Sequence, residues 1–301
     1  MNKEFKIISL IKKTFSSKYI GDDCAYLNLF GKYAFTSDAL NENTHFRLWN
    51  IKNLFFYLGY KALWINISDI LASGSIPKYF LLNLNIDLEK FKIEEFLKGL
   101  KFASQLYNIE LIGGNTSYSK NISVNITLFG KTIKPFLRNQ AKEGEYIFVY
   151  KYTGEAATGL EILEKKENFK NLSFLEKYFI KRFFMFYIPL SVIKTLFSLN
   201  IKCAIDLSDS LAFSVNLLAK LSKKYFFIDL KNFPLSPKLL KYYKNKKKAL
   251  DKALFGGDDY TLLITAPPKY FSLLKKLGFL KIGIVKKGIG SNLNPNSFYH
   301  F

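Results

Sequence analysis

The sequence predicts a mixed α/β protein of two domains, and three observations carry that expectation. At 301 residues, the chain is longer than one hydrophobic core usually organises, which favours two domains of about 150 residues each. Its first half alternates strand-like and helix-like patterns, as βαβ-like material does. Around residues 134–144 the pattern breaks on Pro135, several charges and Gly144 before a new strand begins, so a boundary belongs there.

The elements follow in order. Lys3 to Phe15 has helical spacing, Tyr33 to Ser37 is extended, and Lys52 to Ser73 is apolar nearly all round, as a buried helix is. Lys78 to Asp87 reads as a strand, Ile93 to Tyr107 as an amphipathic helix, and Glu110 to Ile112 and Ile122 to Lys131 as strands. Past the boundary come a strand at Tyr146 to Tyr150 and helices at Ala156 to Lys165, Leu190 to Leu199 and Asp209 to Lys223. Strands at Tyr225 to Leu230 and Tyr260 to Thr265, a helix at Lys269 to Leu277 and a strand at Leu280 to Lys286 complete the chain. No repeat at solenoid spacing is present.

Composition excludes several classes. Hydrophobic residues at 49% and charged residues at 23% are ordinary for a globular protein, so disordered and collagen-like chains drop out. The richest apolar stretch, Phe183 to Ile193, is short and contains Pro189, so it reads as a buried helix start and not a membrane span. The amino terminus lacks a secretory apolar core. Cys24 and Cys203 have no metal-ligand spacing, and nothing suggests an oxidising compartment. A cytoplasmic location is therefore expected. The formal charge of +21 attracts nucleic acid, anionic membranes and phosphorylated metabolites alike. Because the lysines are spread along the chain and the run Lys244 to Lys248 reads as a solvated loop or helix end, neither a specific nucleic-acid partner nor a membrane is expected.

Against this basic background the acidic residues concentrate beside glycine and serine. Asp22 and Asp23 follow Gly21, Asp38 follows Thr36 and Ser37 at a strand end, and Asp69 follows Ser68 in an apolar helix. Asp206 and Asp209 flank Ser208, and Asp258 and Asp259 follow Gly256 and Gly257. Hard cations such as Mg²⁺ take such carboxylates together with substrate phosphates. Any one of these acids has an ordinary alternative: Asp22, Asp23 or Asp38 in a turn or loop, Asp209 as the cap of the following helix. Asp69 is harder to explain so, because a carboxylate in an apolar helix needs a cation, donors or water. Gly113-Gly114-Asn115-Thr116, at the exit of a short strand, would let backbone N–H groups approach phosphate oxygens. Gly130-Lys131-Thr132 is a decoy, since Asn125 stands where a Walker loop requires its leading glycine. With two histidines, no multi-histidine metal site can form, and no Gly-x-Ser-x-Gly elbow is present.

Taken together, these motifs resemble those of the thiamine-monophosphate kinase family. The likeness runs through Gly21-Asp22-Asp23-Cys24-Ala25, Thr36-Ser37-Asp38 with His45-Phe46, Asn66-Ile67-Ser68-Asp69, Gly113-Gly114-Asn115-Thr116, Arg138, Gly154-Glu155-Ala156-Ala157-Thr158-Gly159, Asp206-Leu207-Ser208-Asp209, Gly256-Gly257-Asp258-Asp259-Tyr260 and the tail Tyr299-His300-Phe301. It implies an α/β fold of the aminoimidazole-ribonucleotide-synthetase-like superfamily, divided at residues 1–137 and 138–301. The first domain would bind ATP and magnesium and form a homodimer through its sheet; the second would complete the nucleotide and substrate site. It implies transfer of the γ-phosphoryl of ATP to thiamine monophosphate without a covalent protein nucleophile, with several Mg²⁺ ions. The metal residues would be Asp23, Thr36, Ser37, Asp38, Asp69, Asn115, Asp206 and Asp209. Gly114, Asn115, Arg138 and Ser208 would contact ATP, and His45, Asp258 and Phe298 the substrate. Against the family pattern, Asn115 replaces an aspartate, Asp258 a glutamate and Ser210 a glycine, and Pro295 falls near the place of a stacking aromatic. The alternatives are another ATP-using enzyme of the superfamily, a family member that has lost activity, or a basic nucleic-acid-binding protein.

Overall fold

The computed structural model of the chain describes residues 3–20 and 27–293. These divide into two compact units, one within Met1–Leu71 and Ser75–Ile133, the other within Ala72–Gly74 and Lys134–Phe301.

The first unit runs α1 (Lys3–Phe15), β1 (Tyr33–Asn41), α2 (Leu54–Ala72), β2 (Ser75–Ile86), α3 (Ile93–Tyr107), β3 (Glu110–Tyr118) and β4 (Ser123–Thr132). Its four-stranded sheet has the order β1-β4-β2-β3, with β2 and β3 parallel and the other pairs antiparallel. Strand alternation decides which face is covered. Val124, Ile126 and Leu128 of β4 are buried, while Ser123, Asn125, Thr127 and Phe129 turn to the other face. Helix α2 lies on the buried face, where Ile70 approaches Gly130 so closely that a Cβ there would fall 2.4 Å from it. The helix is apolar almost all round, with Leu58, Leu63, Trp64, Ile67 and Leu71 in the core, and it also buries Lys61, Asn66 and Ser68. Ser68 satisfies its hydroxyl on the Ile65 carbonyl at 2.8 Å, and Asn66 Nδ2 donates to the Ala62 carbonyl at 3.1 Å, as short polar side chains do inside helices.

Two strands are longer than expected. β1 continues to Asn41, so Asp38 is mid-strand and not at a strand end. β3 continues to Tyr118, so Gly113 to Thr116 lie inside a strand and not at its exit. β3 pairs with β2 through Ile86↔Tyr118, with a bulge that skips Ile112. Both are edge strands, with mostly exposed or half-buried side chains, so no apolar alternation reveals them in the sequence.

The second unit contains β5 (Tyr146–Tyr150), α4 (Glu155–Lys165), α5 (Phe174–Phe184), α6 (Leu190–Ser198), β6 (Cys203–Asp206), α7 (Leu211–Ser222) and β7 (Tyr225–Ile228). It goes on with α8 (Pro237–Tyr243), α9 (Lys246–Phe255), β8 (Leu262–Ala266), α10 (Phe271–Lys276), β9 (Phe279–Lys286) and β10 (Gly290–Ser291). The six strands are ordered β10-β7-β9-β5-β8-β6. Val149, Ile205, Val215, Leu218, Phe226 and Ile282 belong to its core. α5, α8, α9, β6 and the two-residue β10 are not expected from the sequence. The lysine run spans the joint between α8 and α9, where Lys244 ends one helix in the left-handed region and Asn245 caps the next.

The cap of α7 is also corrected. Ser210, and not Asp209, is the N-cap: its hydroxyl accepts from the Phe213 N–H at 3.1 Å. Ser210→Ala should therefore destabilise the protein by about 1 kcal/mol, and Ser210→Asn, which keeps a capping oxygen, by less. Urea unfolding of the two variants checks this, and equal losses would remove Ser210 from the cap.

Candidate active site

In the first unit, the seam between α2 and β1 gathers four of the sequence-selected residues or their partners. Thr36 and Asp38 share the helix-covered face of β1, on either side of Ser37. Thr36 Oγ1 donates to Asp69 Oδ2 at 2.6 Å. The Asp38 N–H donates to Asn66 Oδ1 at 3.1 Å, so the side chain of α2 fixes the backbone that presents the acid. Burial, and then the neighbouring Asp69 carboxylate and a hydrogen bond shared with it, push the Asp38 carboxyl up to about 7. Asn66 is fully buried, and the sequence motif alone assigns it no role. It stands three positions before Asp69 on the same helix, so the reasoning that singled out Asp69 applies to it too.

The other residues of this unit lie apart. Ser37 points to the opposite face, where its hydroxyl meets Thr127 Oγ1 at 3.1 Å. Asn115 pairs with Asn83 of β2 and is exposed. Its strand is at the far edge of the sheet from β1, about 14 Å away across three strand spacings. Asn115 and Asp38 therefore do not share an ion within one copy of this unit. Gly114 has φ +146, and a Cβ would fall 1.8 Å from the Leu82 carbonyl oxygen, so the fold alone requires glycine here. His45 Nδ1 accepts from the Asn41 N–H at 3.0 Å, which leaves Nε2 to carry the proton of a neutral ring. Asp23 and Phe298 lie outside the described residues.

In the second unit, the Asp206–Ser210 and Gly256–Tyr260 loops are bonded together. The Asp258 N–H donates to the Ser208 carbonyl at 2.8 Å, and the Tyr260 N–H to the Leu207 carbonyl at 2.7 Å. Asp206 is buried at the end of β6, so Asp206, Ser208, Asp209 and Asp258 form one neighbourhood. The backbone of Arg138 lies apart from it. Its carbonyl accepts from Ser222 Oγ at 3.3 Å and lies 3.9 Å from Cys203 Sγ, at the opposite end of β6 and α7 from Asp206 and Ser210. Burial pushes the Cys203 thiol up to about 11, so it stays protonated and inert.

Asp259, Glu155 and Arg182 are buried charged residues to which the sequence assigned no role. Asp259 Oδ2 accepts from the Gly154 N–H at 2.7 Å, and Glu155 accepts from Tyr178 Oη at 2.7 Å and Ser236 Oγ at 2.5 Å. The signal available was the motif context, since both acids stand beside glycines at loop ends. Among the described residues, no three His, Cys, Asp or Glu side chains form a metal-holding cluster. The Thr36, Asp38 and Asp69 set offers only oxygen atoms and places two carboxylates together, which fits a hard cation completed by phosphate oxygens and water.

Residues 21–132 match the family described as AIR synthase related protein, N-terminal domain. Over its whole length the chain belongs to the thiamine-monophosphate kinase family. It is 35% identical to the thiamine-monophosphate kinase of Aquifex aeolicus (strain VF5), over 99% of this chain and 98% of that one. A solved structure described as AaThiL complexed with AMPPCP and TMP is 33% identical, covers 98% of this chain and 94% of its own, and superposes with a TM-score of 0.79. The thiamine-monophosphate kinase from Stenotrophomonas maltophilia K279a, at 26% identity and 98% coverage of both chains, superposes with a TM-score of 0.84.

The acid pair makes stability depend on pH. A carboxyl raised from 3.8 to about 7 favours the folded state below pH 4, and that contribution is lost as pH rises from about 4 to 7. In EDTA, the thermal midpoint should therefore fall further between pH 5 and pH 8 in the native protein than in Asp38→Asn. Magnesium should raise the midpoint at pH 8 more than at pH 5. Scanning fluorimetry decides it: parallel pH profiles for the two proteins would show that the pair does not titrate.

Proposed function

We propose that this chain is an ATP-dependent kinase that phosphorylates thiamine monophosphate to thiamine diphosphate. The observation that carries the reading is its full-length likeness to kinases of that name, one of them solved with an ATP analogue and TMP. Both reactants are polyanions, so positioning and charge neutralisation do most of the work in such a transfer, and no protein nucleophile is required.

Thr36, Asp38 and Asp69, with Asp23, would hold magnesium in the first unit, Ser37 would act apart from them on the other face of β1, and Asp206 and Asp209 would hold magnesium in the second unit. When bound, the metal supplies positive charge between the carboxylates and the phosphates. Gly114 and Ser208 would contact ATP, and Arg138 would meet it away from the carboxylates. His45, Asp258 and Phe298 would form the substrate side. The domains would be 1–137, for ATP, magnesium and dimerisation, and 138–301.

A homodimer through the first sheet accounts for Asn115. Among the described strands, β1 and β3 each have one neighbour in that sheet, and the face away from α2 carries Phe35, which is 61% exposed and packs on Phe129 with ring centroids 5.1 Å apart. A two-fold axis relating the sheets would set β1 of one copy near β3 of the other, bringing Asn115 of the partner subunit toward the face of β1 that carries Ser37 and Ala39, opposite the Asp38 carboxylate. As a neutral ligand Asn115 would hold magnesium weakly.

Thiamine diphosphate formation from thiamine monophosphate, ATP and Mg²⁺ tests the reaction; its absence in the folded protein would sink the reading. Asp69→Asn should lower turnover at least a hundredfold without unfolding. Asn115→Asp should lower the magnesium concentration giving half-maximal rate, and superimposable titrations would remove Asn115 from the metal site. Phe35→Asp should yield monomers in sedimentation velocity, and an unchanged dimer would place the interface elsewhere.

A further inference from the structure

The Gly256–Tyr260 loop holds two non-glycine residues in the left-handed region, Asp258 at φ 63 and Tyr260 at φ 43. Such backbone is unfavourable for residues with a Cβ and persists only where the surroundings impose it. Between them stands Asp259, only 2% exposed, whose side chain is turned to the first turn of α4. Its Oδ2 accepts from the Gly154 N–H at 2.7 Å, and Oδ1 lies 3.4 Å from the Ala156 nitrogen. These are the orphan donors at the start of α4, and a carboxylate there is favoured by both hydrogen bonding and the helix dipole. Position 154 admits only glycine. It has φ +84, and a Cβ would fall within 2.7 Å of the backbone of Lys252 and Ala253.

Arg182 of α5 holds the same residue by two atoms. Its Nη2 donates to the Asp259 carbonyl at 3.0 Å and lies 3.6 Å from Asp259 Oδ1. The guanidinium is 8% exposed and rests 3.8 Å from the ring centroid of Phe186, so its direction is fixed by packing. Backbone and side chain of Asp259 are thus both anchored, and the residues on either side bond to Ser208 and Leu207.

We infer that Asp259, clamped by Arg182 and the first turn of α4, is a positioning residue that holds Asp258 in its left-handed geometry and locks the Ser208–Asp209 loop against it. The inference rests on the kinase reading for what Asp258 and Ser208 touch, but the locking itself is a property of the loops. Without the clamp, the two strained residues relax to ordinary backbone basins and the bonds to Leu207 and Ser208 open.

The test compares Asp259→Asn, Arg182→Lys and Glu155→Gln with the native chain. Glu155 is an equally buried acid next to Gly154 that bonds Tyr178 and Ser236 and not the loop. Amide hydrogen exchange at Asp258 and Tyr260 should accelerate at least tenfold in Asp259→Asn, while Val215 in α7 exchanges as before. The KM for thiamine monophosphate should rise at least tenfold with a smaller fall in kcat. Arg182→Lys should give an intermediate change in both, and Glu155→Gln should leave the loop amides and KM unchanged. Native exchange at Asp258 and Tyr260 in Asp259→Asn, or equal acceleration throughout α7 and β5, overturns the inference. If Asp259→Asn does not fold, Arg182→Lys decides alone, and native exchange in it overturns the inference. A native chain without kinase activity, or a fully active Asp258→Ala, would refute the kinase reading or the role of Asp258, while the exchange measurement still decides the clamp.

Discussion

A helix that is apolar on nearly every side has one polar seam, and the first unit is organised about it. α2 buries itself through Leu58, Leu63, Ile67 and Leu71, yet Asn66 and Asp69 must find partners once water is excluded. They find them on β1, where Asn66 fixes the Asp38 backbone and Asp69 takes the Thr36 hydroxyl. The edge strand is thereby held to the helix by polar bonds at the place where its own side chains bury least. Two carboxylates end in contact as a result, an arrangement that desolvation opposes and a bound cation relieves.

The sequence made part of this seam legible. Asp69 stood out because an acid in an apolar helix needs an explanation, and α2 itself was visible from its uninterrupted hydrophobicity. Asn66 carries the same signal in weaker form, since an amide is less costly to bury than a charge. Asp38 was found by its neighbours but misplaced at a strand end, because β1 lies at the sheet edge and buries only Leu40 fully. The separation of Asn115 from Asp38 could not be read at all: strand order is a non-local property, and β4 lies between β1 and β2 although it comes last in the unit.

In the second unit the losses have other causes. β6 is four residues long and buried throughout, too short for periodicity to register. α5 has a full capping box between Ser173 and Glu176, a signal present in the sequence, but its Phe-rich, basic composition resembles no clean amphipathic stripe. Missing α5 concealed Arg182, and with it the reason for the second acid of Gly256-Gly257-Asp258-Asp259. The motif marked both acids; only the folded chain distinguishes the one facing the loop bonds from the one capping a helix 105 residues away.

The place of β5 carries a consequence for biosynthesis. It is the first strand of its unit to leave the ribosome, yet it lies between β8 and β9 and is antiparallel to both. Neither neighbour exists until residues 262–286 have been made. The first sheet, by contrast, is complete at Thr132. Nascent chains thus pass through a long interval in which one unit can close its sheet while the apolar β5, Tyr146–Tyr150, waits unpaired. Throughout that interval the growing chain carries an unpaired apolar strand, the kind of segment through which nascent chains aggregate.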